Sequence, residues 1–113
     1  MKSSKQHLYE GMYVIDATIG DQARTQAVER IKSEITKQGG EILKVHDWGR
    51  KRLAYEINGR KDGYYFIIYF QVNPASINEL WREYHLDTTI LRFITLQVDE
   101  VKEQISFKQI GER

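Results

Sequence analysis

The three histidines of this 113-residue chain, His7, His46 and His85, stand far apart. They lack the paired spacing by which two imidazoles share a zinc ion. There is no cysteine, which excludes a thiol nucleophile, a cysteine-ligated metal and a disulfide framework. A P-loop requires GxxxxGK[ST] between a strand and a helix; GRKRL and GRKDG are basic turns without that setting. No serine or acid pair stands out as a triad or dyad. The expectation is a protein with no catalytic residues, no metal and no cofactor.

A different chemistry is concentrated in DWGRKRLAYEINGRKDGYYFIIYF, Asp47 to Phe70. The formal net charge of the whole chain is only +1, which by itself argues against a nucleic-acid partner. Yet Lys44, Arg50, Lys51, Arg52, Arg60 and Lys61 face only Asp47 and Glu56 within one short stretch, so the rest of the chain is net acidic. Such a stretch either attracts phosphates or guards a sheet edge against aggregation. The candidate RNA-binding residues are Arg50, Lys51, Arg52, Arg60 and Lys61, joined by Arg92.

These side chains have to be held by secondary structure. LYEGMYVI, from Leu8 to Ile15, is β-rich and ends in the turn TIGD. DQARTQAVERIKSEITKQGG places Ala27, Val28, Ile31 and Ile35 at helical spacing, with Asp21 as N-cap and Gly39-Gly40 as the stop. EILKVHDWGRKRLAYEI reads as a long strand with a bulge at Gly49, and Leu53, Tyr55 and Ile57 share its inner face. NGRKDG, Asn58 to Gly63, is the turn. YYFIIYFQV is apolar throughout, as a central strand buried on both sides would be. Asn73-Pro74 opens a second helix in which Ile77, Leu80, Trp81 and Tyr84 line the core. TTILRFITLQV, Thr88 to Val98, is the last strand.

The order β, α, β, β, α, β with right-handed crossovers predicts an α+β, ferredoxin-like split βαβ sandwich. One four-stranded antiparallel sheet carries both helices on one face, and the second and fourth strands are its edges. Tyr13, Ile15, Phe66, Ile68, Phe70, Ile94 and Leu96 are expected to face the helices. Met12, Val14, Tyr65, Ile67, Tyr69 and Phe93 are expected on the open face. Enzymes of this shape that hydrolyse acyl phosphates need an arginine in the loop after the first strand, and ATIGDQ has none. The aromatic run of single-strand RNA binders on this fold is also missing, because GYYFIIYF interleaves aliphatics. A face of tyrosines with Ile67 and Val14 suits protein docking, and Trp48, Tyr65, Ile67 and Tyr69 are the candidate partner-binding residues. Residues 1–98 form one expected domain, and 99–113 a tail that orders on a partner. With no apolar run long enough to span a bilayer and no secretory signal in MKSSKQH, the expectation is a soluble cytoplasmic protein with no membrane partner.

WGRKRLAYEI, with YEGMYVI before it and LDTTILR after it, resembles bacterial small-subunit ribosomal protein six over about residues 8 to 98. Gly49, Arg50, Arg52, Leu53, Ala54, Tyr55 and Ile57 match the family's second-strand block. Tyr9, Glu10, Gly63, Tyr64, Leu86, Asp87, Leu91 and Arg92 match its other strand blocks. The resemblance implies a non-catalytic ribosomal component that pairs with ribosomal protein eighteen and binds the central domain of small-subunit ribosomal RNA. It also implies a protein that is monomeric when free. Arg50, Arg52 and Arg92 become contacts to RNA or partner, whereas Leu53, Tyr55 and Ile57 become core. Two positions depart from the pattern: Glu56 stands where proline is common, and His85 where arginine is frequent. The final GER does not match the acidic tail on which some relatives are extended with glutamates.

Overall fold

Strand β1 (His7–Asp16) buries Tyr9, Gly11 and then every residue from Tyr13 to Asp16, and the remaining elements assemble around it. The computed structural model describes residues 5–103. After β1 come α1 (Gly20–Lys37), β2 (Glu41–Ile57), β3 (Arg60–Val72), a 3-10 turn at Pro74–Ser76, α2 (Ile77–Leu86) and β4 (Ile90–Gln97). The strands lie in the order β2-β3-β1-β4 with antiparallel neighbours. This is the expected ferredoxin-like topology, with β1 and β3 central.

The main core lies between the sheet and the helices. Tyr13, Ile15, Phe66, Ile68 and Phe70 from the sheet meet Ala27, Val28, Ile31 and Ile35 from α1, and Leu80 and Tyr84 from α2. Each fully buried Ile or Leu here contributes about 1.5–3 kcal/mol. The Tyr13 and Tyr84 hydroxyls lie 2.9 Å apart and satisfy each other inside this layer. Trp81, expected in the core, is 38% exposed, and its indole N–H donates to Thr95 Oγ1 at 3.1 Å. Asp21 is not the cap of α1. The helix starts one residue earlier without a side-chain cap, and Asp21 lies in its first turn, where it pairs with Arg24 at 3.0 Å. A carboxylate there still complements the helix dipole. Asn73 does cap, its Oδ1 accepting from Ala75 N at 2.9 Å.

Three local departures from strict alternation matter for the site. The β2–β3 turn is only Asn58-Gly59, both at positive φ, the two-residue geometry that matches strand twist. Arg60 and Lys61 therefore belong to β3 rather than to a longer turn. In β2, residues 53–56 stand opposite Lys61 alone, a bulge that keeps Leu53 buried but turns Tyr55 outward to 66% exposure. Tyr55 is thus not core. In β4 a register shift between Val14 and Ile15 of its partner puts Leu91 in a bulge and reverses the faces beyond it. Phe93 consequently packs in the helix-side core, while Ile94 and Leu96 lie on the open face, 38% and 53% exposed.

The chain beyond β4 crosses the open face. Val98 N bonds to Leu8 O at 3.0 Å, Lys102 O lies 2.8 Å from His46 Nε2, and Lys44 pairs with Glu103 at 2.9 Å. Residues 98–103 thus run from the β4 side to β2. The rest of the expected tail lies outside the described residues.

Candidate nucleic-acid interface

Strand register gathers the basic residues at one end of the sheet. Arg92, Val14, Tyr65 and Gly49 form one row across β4, β1, β3 and β2. The following rows toward the hairpin tip set Arg50 beside Tyr64, Lys51 beside Gly63 and Arg52 beside Asp62. Because successive strand residues point to opposite faces, Arg50 and Arg52 share the side of Tyr64, while Lys51 and Arg92 take the open-face side. The cluster therefore wraps the end of the sheet instead of lining one face. Gly49 permits this path: its φ of 78° is a left-handed conformation that glycine adopts without strain. Asp47 Oδ1 accepts from its N–H at 2.8 Å.

Not every cation is equally available. Arg60 Nε donates to both oxygens of Asp16 at 3.1 Å, and Arg60 Nη1 to Asn58 O at 3.3 Å. Asp16 is 5% exposed and also accepts from the backbone N–H and hydroxyl of Thr18 at 2.9 and 2.7 Å. Burial pushes its carboxyl upward, but the Thr18 and Arg60 hydrogen bonds outweigh this and hold it below its ordinary 3.8. Arg60 thus fastens the hairpin to the end of β1. Arg50 is more than half exposed and pairs with Asp62 at 3.2 Å, a surface contact of little strength. Arg52 and Lys61 are exposed, and Lys51 and Arg92 half-buried.

The open face beside this end is a second, smaller apolar cluster. Val14, Leu53 and Tyr65 are buried in it, with Met12, Trp48, Ile57 and Leu91 packed around them. Of the docking candidates, Trp48 is half-buried, while Tyr65, Ile67 and Tyr69 are at most 1% exposed. The three central-strand side chains therefore support this face from beneath. Tyr69 OH donates to Glu10 Oε2 at 2.6 Å. Burial, then that bond and the Glu10 charge, raise its hydroxyl to about 12.

The sequence did not single out Tyr55 as a surface residue, Asp16 as the anchor of Arg60, or residues 98–103 as a cover. A bulge and two long-range contacts create them, and none leaves a periodic signal. Among the described residues no cluster of metal-binding side chains occurs, and no helix is long and apolar enough to cross a membrane.

Comparison with known proteins decides the family. A family model described as Ribosomal protein S6 matches residues 8–97. The chain belongs to this family. Small ribosomal subunit protein bS6 of Protochlamydia amoebophila is 53% identical over 113 residues, covering 100% of this chain and 99% of that protein. The bS6 protein of Chlamydia caviae is 54% identical over 112 residues, covering 99% of this chain and 100% of that protein. The crystal structure of 30S ribosomal protein S6 from Thermotoga maritima matches with a TM-score of 0.79 at 33% identity, over 83% of this chain and 89% of that one. Members of the S6 family are structural, non-enzymatic components of the small ribosomal subunit, and this chain is one of them, located on the ribosome in the cytoplasm.

Proposed function

We propose that this S6-family chain binds the central domain of small-subunit ribosomal RNA together with ribosomal protein eighteen, and that it is a monomer until it does so. The observation that supports RNA binding best is the register that brings Arg50, Lys51, Arg52, Lys61 and Arg92 to one end of the sheet. Lysines and arginines so placed neutralise phosphates and release counterions, which gives affinity without sequence reading. Arg60, bound to Asp16, holds the hairpin that presents them. Ribosomal protein eighteen takes the open face to either side of the crossing made by residues 98–103, where Trp48 on β2 and the exposed Ile94 and Leu96 on β4 offer apolar area.

The test is binding to a central-domain RNA fragment, with and without ribosomal protein eighteen, between about 50 and 200 mM salt. Tight, salt-sensitive binding that requires the partner supports the proposal. RNA binding indifferent to the partner removes the pairing, and no RNA binding in any mixture removes the RNA role. Replacing Arg50, Lys51 and Arg52 with glutamine should leave the fold intact and abolish assembly. Sedimentation of the free chain should give the monomer mass.

A further inference from the structure

We propose that Tyr55 is a base-stacking residue whose exposed ring packs against an unpaired nucleotide of the RNA held at the basic end of the sheet. The inference rests on the RNA-binding reading above. Strict alternation along Leu53, Tyr55 and Ile57 would bury all three, and the structure buries Leu53 and packs Ile57 against the small open-face cluster. Tyr55 alone is turned out by the bulge of residues 53–56. At 66% it is more exposed than any other large apolar side chain among the described residues. Nothing among the described residues hydrogen-bonds its hydroxyl or stacks on its ring.

The surroundings define the ligand. Arg52 lies three residues before Tyr55 and Lys61 stands opposite the bulge. Arg92 shares a shallow crease with Tyr55, floored by Val14, Leu53 and Tyr65. That crease encloses about 10 Å³, less than a small molecule or a side chain from a partner needs, so the ring face itself is the contact surface. The neighbours along the hairpin, Ala54, Glu56, Asn58 and Gly59, are exposed and small or polar, and Ile57 is half-buried against the open-face cluster, so Tyr55 supplies the strongly exposed apolar area at this end of the sheet. An isolated aromatic face among cations matches a nucleotide, whose phosphate and base require both. The aliphatic exposures at Leu86, Ile94 and Leu96 lack that aromatic face.

The experiment compares the full chain with Tyr55→Phe, Tyr55→Leu and Tyr55→Ala in binding the central-domain RNA fragment with ribosomal protein eighteen. Alanine and leucine should weaken binding roughly ten- to hundredfold, and phenylalanine by less than about twofold, at an unchanged salt slope. Melting temperatures should stay together, because the ring is outside the core; leucine preserves apolar bulk if alanine disturbs the bulge. If the natural chain binds RNA and the alanine and leucine variants match it, the stacking inference fails while the RNA reading stands. Loss of binding to ribosomal protein eighteen without RNA would make Tyr55 a protein contact and overturn the inference. Failure of the natural chain to bind RNA sinks the underlying reading instead.

Discussion

Asp16 joins three pieces of chain, accepting from Thr18 in the following loop and from Arg60 at the start of β3. Asp16→Asn should cost about 1–3 kcal/mol in urea unfolding, because charge-assisted bonds to a buried acceptor are lost. The folded carboxyl titrates below its ordinary 3.8. Its stabilisation is therefore complete above that value and disappears as pH falls through the lower folded value. Unfolding free energy followed from about pH 5 to 2 should decline less steeply in the asparagine variant; an unchanged slope would mean that other carboxyls dominate. The Tyr13–Tyr84 pair makes a different demand. Burial first, then the neighbouring tyrosine, raises Tyr13 well above 10.0, and burial raises Tyr84 despite its bond to Tyr13. Both contribute stability below pH 10 that is lost as pH rises through the folded values. Tyr13→Phe should cost about 1–3 kcal/mol by leaving the Tyr84 hydroxyl unsatisfied, and adding Tyr84→Phe should recover part of that cost.

At the scale of elements, β3 passes so close to β1 that Gly63 has no room for a side chain. A Cβ there would meet Val14 Cγ1 inside van der Waals contact, with Leu53 Cδ2 and Ile15 O at 3.4 Å. Gly63→Ala should lower stability by about 1–3 kcal/mol in a denaturant titration. Gly49→Ala has open space and should cost only about 1 kcal/mol of backbone strain. The elements themselves were legible because their periods are long and uniform: β2 occupies the expected Glu41–Ile57, and α1 buries the expected Ala27, Val28, Ile31 and Ile35. Faces were legible only up to the first bulge. Ile94 and Leu96 outnumber Phe93 as apolar positions in β4, so pattern alone favours the wrong side once Leu91 slips out of register. The same slip in β2 hides Tyr55, and with it part of the candidate site. The basic composition of the site was plain in the sequence. That Arg60 is tied to Asp16, 44 positions away in the chain, was not, since ion-pair partners carry no periodicity.

For the whole molecule, a net charge of +1 conceals a strongly uneven distribution. Lys32 and Lys37 on α1 are paired with Glu29 and Glu34 at 3.1 and 3.2 Å, whereas the cations of the β2–β3 hairpin outnumber their acids. Neutralising Lys51, Arg52 or Lys61 should each reduce the salt slope of RNA binding by about one and slow association. Neutralising Lys32 or Lys37 should leave both unchanged, as stopped-flow measurements over a salt series would reveal.

The position of β1 between β3 and β4 also governs how the chain must be made. Translation delivers β1 first, and its neighbours on both sides are encoded later. At ~5–20 residues per second, on the order of 3 to 11 s separate the synthesis of Asp16 from that of Val72. Throughout that interval the nascent strand has two open edges, and α1 can shelter only one of its faces. Topology therefore leaves the ten residues His7–Asp16 without a strand partner on either edge until β3 has been made.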